Sequence, residues 1–406
     1  MARAFGVSLA TVQLWLERAG TRRLERVDWG DRPSVPQRQS RTERSLEDLI
    51  LGLRTELRAS SVLGEYGAAA IRRELQTREL SGPVPTERTI GRILERRGAL
   101  DAGRRVRRLA PAPGWYLPDL AARRVELDSF DIVDGLYLKG SPELGILTAI
   151  SLHGGLPGAW PGFGMRVAQI VPAIIEHWTA VGLPAYAQFD NDSRFIGGYR
   201  TPDSIGPVIR LCLRLGIVPV FATPNEPGFQ AAIEAFNGRW QRKLWARFWE
   251  PDLAALEDRS RAYIEACRQR SAVRIEGAPA RDPFPAGALD LSGYPAGRLV
   301  FLRRTSEQGT VSILGRHYPV DPAWPHRLVR SELDLDVRRL RFFALRRREP
   351  TVQPLLNDCD DGLTPSRAGP DPSQRLASCL RVDLSARARD GVTGPADQAS
   401  SDLIGA

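Results

Sequence analysis

The sequence predicts a multidomain protein: helix-turn-helix units in front, a central α/β region on a mixed sheet, a small β-barrel behind it, and a disordered tail. Three observations carry this. Apolar residues recur at helical spacing before residue 100, and short apolar strands then alternate with helices. From residue 296 on, short strands are broken by Gly, Pro and charged turns. A chain of 406 residues suits about two to four domains.

Composition narrows the function classes. No run approaches the roughly 20 apolar residues of a membrane span, and the first ten residues lack a signal peptide's apolar core. Cys212, Cys267, Cys359 and Cys379 have no CxxC spacing, and the four histidines (His153, His177, His317, His326) are equally dispersed. That argues against a disulfide framework and a zinc site, and fits a reducing cytoplasm. Residues 1–125 carry 24 Arg and no Lys against 15 Asp and Glu, whereas residues 350–406 carry 5 Arg against 8 Asp. A basic front end suits a polyanion such as duplex DNA.

Residues 1–30 read as a partial helix-turn-helix, with Gly6 at a turn, Ser8 as N-cap, and Val12, Leu14, Trp15 and Leu16 on the helix. A Pro-, Ser- and Arg-rich linker spans 31–44. Residues 45–100 read as a second, helix-turn-helix-like DNA-binding unit of three helices, with Thr86 as N-cap and Gly98 as C-cap of the third. Arg88, Arg92, Arg96 and Arg97 on that helix, and Arg104, Arg105, Arg107 and Arg108 in the basic linker 101–123, are expected to meet DNA phosphates, which give affinity without sequence reading.

Residues 124–285 form the expected core. Its strands are sought in "RRVELDSFDIV", "GILTAISLH", "AYAQFD" and "IVPVFA", with helices near 165–180, 203–215 and 230–248. Residues 296–346 follow as the barrel, and 350–406 as the tail, rich in Pro, Asp, Ser and Gly.

In "AAIEAFNGRWQRKLWARF" (231–248), Ile233, Phe236, Trp240 and Leu244 share one helical face, and Glu234 lies about a quarter-turn away. As an isolated helix this is a solvated first-turn acid. Two more acids stand out by position: Asp128 inside the first core strand and Asp190 at the end of a later one. A carboxylate within a strand is costly to desolvate unless it meets a cation. Three convergent carboxylates favour oxygen-loving Mg²⁺ or Mn²⁺, and two such ions about 3.5–4 Å apart serve phosphodiester chemistry. Asp131 and Asp134 compete with Asp128, Asp192 with Asp190, and Glu226 with Glu234.

"AQFDNDSRF", "TPNEPGFQAAIEAFNGRW" and "GTVSILGRHYPV" resemble the retroviral-integrase-type core of bacterial insertion-sequence transposases. The resemblance runs over about residues 1–345 and is most specific from Pro224 to Arg239. It implies a ribonuclease-H-like core and an Asp-Asp-Glu metal site, with Asp128, Asp190 and Glu234 as catalytic metal ligands. It further implies Mg²⁺ or Mn²⁺ as cofactor in two sites, 3′-end hydrolysis and strand transfer in DNA transposition, and homo-oligomers on terminal inverted repeats and target DNA. Location would be the cytoplasm, at the nucleoid. Arg239, Arg242 and Lys243 lie on flanks where phosphates could approach. The alternative is a transposase-derived DNA-binding protein or regulator that has lost catalysis. Departures from the pattern favour it: Asp192 where the family has Gly, "QAA" ahead of the glutamate, and 43 residues between Asp190 and Glu234, with "GGYRTPDS" as the insertion.

Overall fold

The computed structural model describes residues 2, 4–30, 42–78, 82–100, 113–197, 203–226, 228–292 and 295–363. At the front, α1 (Leu9–Ala19) starts at Ser8, whose hydroxyl accepts the Thr11 N–H at 3.1 Å. The next three helices are α2 (Arg44–Ser60), α3 (Ala68–Thr77) and α4 (Glu87–Arg96). They share a small core that includes Ile50, Leu53, Ile71, Ile90 and Ile93. Thr86 caps α4 by accepting the Thr89 N–H at 3.3 Å. Gly98, at φ +65, ends it in the left-handed conformation that the last turn needs.

A short α5 (Pro118–Ala121) leads into the central sheet. Strands β1 (Leu127–Tyr137), β2 (Glu143–Ser151) and β3 (Pro157–Phe163) form an antiparallel meander. Then come α6 (Val167–Val181), β4 (Tyr186–Phe189), α7 (Ser193–Ile196), α8 (Pro207–Arg214) and β5 (Val218–Phe221). Strand β4 runs parallel to both β1 and β5. Next are α9 (Ala231–Trp240), a π-helical turn over Gln241–Trp245, α10 (Leu253–Arg270) and α11 (Ala272–Glu276). The β-rich end comprises β6 (Arg298–Arg304), β7 (Thr310–Ile313), β8 (Arg316–Pro319), β9 (Leu328–Asp334), β10 (Arg339–Ala344) and β11 (Leu355–Asp360).

The two faces of the sheet have separate cores. Phe130, Leu147 and Ala149 pack under α6 and α8, whereas Leu144, Ile146 and Ile150 pack under α9 and α10 with Ile233, Phe236 and Trp240. Residues one apart on a strand face opposite ways, so successive residues of β1 are committed to different helices.

The C-terminal strands correct two expectations. They do not close into a barrel: β6 pairs parallel with β5 and carries the core sheet onward, in the order β11-β10-β9-β6-β5-β4-β1-β2-β3, with β7 and β8 as a separate hairpin. Strand β11 also falls inside the stretch read as tail, because its pairing with β10 supplies order that its own composition does not. Residues 364–406 lie outside the described residues. No helix among the described residues is long and apolar enough to cross a membrane.

Candidate active site

Parallel pairing decides which acid of β1 can join the others. Leu127, Asp128 and Ser129 stand opposite Tyr186, Ala187 and Gln188, so two steps further along the same register Asp131 comes level with Asp190, just past the end of β4. Asp131 also faces α9. The Asn237 amide donates to its Oδ2 at 2.7 Å, and the Ile132 N–H donates to its Oδ1 at 2.9 Å. Asn237 lies three residues after Glu234 on the same helix, so this bond ties the strand of Asp131 to the helix of Glu234. Burial, then the charges of Asp190 and Glu234, push the Asp131 carboxyl up to about 6, against the hydrogen bonds from Ile132 and Asn237.

Asp190 is half-buried, and its Oδ1 accepts the Asp192 N–H at 3.0 Å. Burial, with the charges of Asp192 and Asp134, raises its pKa against the Asp192 N–H and Arg194. Glu234 is exposed at the surface end of the group, in the first turn of α9.

Asp128 does not join this cluster, which corrects the expectation for the first acid. Three residues from Asp131, it faces α6 and is fully buried. The Trp178 Nε1–H donates to its Oδ2 at 3.0 Å, and Arg281 forks onto both its oxygens. Burial alone would raise its pKa, but the Arg281 guanidinium holds it well below the usual carboxylate range. His177 Nε2 lies 3.6 Å away, and burial pushes that imidazole below its ordinary value. Asp128 is a structural anion with its cation already supplied.

The competing acids are also spoken for. Glu226 pairs with Arg304 and Arg347. Asp192 caps α7 and holds Arg194, which reaches across to Asp134. Asp192 therefore braces the loop after Asp190. Asn191 ties that loop inward, donating to the Ala222 carbonyl at 2.7 Å and accepting from Arg303 at 2.8 Å.

Of the residues expected to meet DNA, Arg88 and Arg92 are exposed and form no ion pair among the described residues. Arg96 and Arg97 instead lock α4 to α2 through Glu47 and Asp48. Arg239 is exposed above the Phe236 ring, and Arg242 is exposed on the π-helical turn. Lys243 donates to the Gly64 carbonyl at 2.7 Å, which makes it a tether between helical front and core. Arg104, Arg105, Arg107 and Arg108 lie outside the described residues.

The donors around Asp131 suit a hard divalent cation: carboxylates of one sign and an amide, with no thiolate or imidazole among them. Among the described residues, no group of three or more His, Cys, Asp or Glu side chains is close enough to hold a metal ion together. The fit is thus one of donor type and charge.

No family model matches the sequence, and no curated protein matches it. Solved structures do. The catalytic core domain of BIV integrase matches at 17% identity, over 36% of this chain and 84% of that one, with a TM-score of 0.28. The HTLV-2 integrase catalytic core domain in complex with magnesium matches at 12% identity, over 40% and 90%, with a TM-score of 0.27. A simian T-cell lymphotropic virus intasome in complex with PP2A regulatory subunit B56 gamma matches at 14% identity, over 65% and 84%, with a TM-score of 0.31.

Proposed function

We propose that the chain is a DNA transposase, a polynucleotidyl transferase whose acids are Asp131, Asp190 and Glu234. The observation that carries this reading is the Asn237–Asp131 hydrogen bond of 2.7 Å. It clips the helix of Glu234 to a strand acid that stands level with Asp190. Acids from two adjacent parallel strands and a covering helix, two of which raise the pKa of Asp131, form a charge cluster that a cation would relieve.

Each acid has an orienting partner or a defined place. Asn237 and the Ile132 N–H fix both oxygens of Asp131, and the Asp192 N–H fixes one oxygen of Asp190. Glu234, on a helix end and exposed, is the member free to swing inward. A divalent cation bound by these carboxylates would polarise a phosphodiester and lower the pKa of an attacking water or 3′-hydroxyl. Exposed Arg239 and Arg242 flank the glutamate, while Arg88 and Arg92 give the front helices a face for phosphates.

The competing reading is a DNA-binding protein without strand transfer. One observation favours it: the three acids do not close into a ligand set by themselves. Nicking of duplex DNA carrying the inverted repeats that flank the gene, with Mg²⁺ or Mn²⁺, separates the two. Cleavage by the wild type that is lost in Glu234→Gln, with DNA binding retained, is the expected result. DNA binding with no metal-dependent cleavage by the wild type would leave the competing reading standing.

A further inference from the structure

A second basic site lies beside the loop that leads into α9. Between the end of β6, the turn before β9 and the chain after β10 there is a cavity of about 650 Å³, walled by arginines. An acid lies among them. Glu226, whose side chain is 15% exposed, receives Arg304 on Oε2 and Arg347 on Oε1, each at 2.5 Å. The two arginines come from different parts of the fold, and both are about half exposed. Arg304 is aimed further by its bond to the His326 carbonyl at 2.6 Å. Two guanidinium groups on the two oxygens of one small anion form the arrangement that also suits a phosphodiester.

We propose that this cavity is a docking site for the DNA backbone and that Glu226 is its built-in competitor, occupying the arginine pair until a phosphate displaces it. The proposal rests on the DNA-processing reading above and adds a second contact to it. Several observations point to a strand rather than a small molecule. Arg327 and Arg348 stand exposed at the rim, with no ion pair among the described residues, so positive charge continues beyond the pocket. Arg327 is held in place by stacking 4.5 Å over Trp324. Glu226 and Glu349 are the two acids of the lining, and Glu349 is matched by Arg346 at 3.3 Å.

The site also faces the chemistry. Glu226 follows β5 and Asp190 follows β4, two parallel strands, so both sit at the same edge of the sheet. Arg303, the neighbour of Arg304 on β6, turns to Asn191 beside Asp190. Glu226 stands four residues before Gln230, the N-cap of the helix bearing Glu234, so its release would act close to that helix. Backbone occupancy here would therefore be felt at the candidate catalytic helix.

The test is binding of a random-sequence duplex to the full chain, by fluorescence anisotropy over a salt series. Arg327→Ala/Arg348→Ala changes only exposed side chains, and should weaken binding with a log K against log salt slope shallower by about 2. Glu226→Gln keeps the shape but removes the competing charge, and should bind roughly 2- to 5-fold tighter. Hydrogen exchange over residues 223–226 should quicken in the wild type when DNA is added. An unchanged slope in the double variant, or no gain in Glu226→Gln, overturns the proposal. If these shifts appear while the wild type never cleaves, the catalytic reading falls and the docking site stands. If cleavage depends on Asp131 and the slopes are unchanged, the docking site falls alone.

Discussion

Asp128 and Asp131 lie three residues apart on one strand and have opposite electrostatic environments. Asp128 is buried against Arg281, so Asp128→Asn would strand a guanidinium whose side chain is only 13% exposed. Breaking a buried pair in this way costs about 3–5 kcal/mol, and urea denaturation should show a loss of that size. Asp131 behaves the other way. Its folded pKa of about 6 lies above its ordinary 3.8, so the fold favours its protonated form. Stability linked to it is full below about pH 4 and is lost as pH rises through about 6. Asp131→Asn should therefore raise the stability of the metal-free protein by roughly 2 kcal/mol above about pH 7, a gain that disappears in acid. Thermal unfolding of both variants across pH checks the pair. The sequence puts Asp128 first and leaves Asp131 as a competitor, because both faces of this strand are covered by helices and alternation does not separate them. Only the register against β4 does, and register depends on long-range pairing.

Among the elements, the helices α2, α4, α6 and α9 lie where apolar spacing places them, and Ser8 and Thr86 cap as their positions predict. Strand β3, "PGAWPGF", was not, since Pro and Gly argue against a strand and are tolerated there because it is the sheet's edge. Helix α10 is missing from the sequence reading, because charged residues crowd its apolar positions. The basic run after Glu234 is expected to face DNA, whereas the π-helical turn redirects part of it toward the front helices. Lys243 reaches the Gly64 carbonyl, Arg247 reaches the Ser61 carbonyl at 2.7 Å, and Arg270 meets Glu65. Gly64 is held at φ +59, and a Cβ there would sit 2.9 Å from Arg247 Nη1. Lys243→Ala/Arg247→Ala should leave each part folded but free the helical unit, seen as a larger radius in small-angle scattering; an unchanged profile would show that the tether is dispensable. On α4, Arg88→Ala/Arg92→Ala should lower DNA affinity with a salt slope shallower by about 2 and leave stability within about 0.5 kcal/mol. Arg97→Ala should instead lower the melting temperature, because it removes contacts to Glu47 and Asp48.

In the whole molecule, one sheet joins what composition divides. The β-rich end looked separable because its strands are short and its turns are charged, but Val220 and Phe221 on β5 pair with Val300 and Phe301 on β6. Ending the chain at residue 295 would uncover that edge beside the loop of Asp190, and such a fragment should aggregate on size-exclusion chromatography. In the proposed active site Asp131, and not Asp128, joins Asp190 and Glu234. The most direct measurement is Mn²⁺-dependent cleavage of end-repeat DNA by the wild type and by Asp131→Asn, with circular dichroism and DNA binding recorded on the same samples. The expected result is a folded, DNA-binding Asp131→Asn protein whose cleavage is at least about 100-fold slower than that of the wild type, as befits loss of a metal-ligating acid. A folded Asp131→Asn protein that cleaves at the wild-type rate would contradict it.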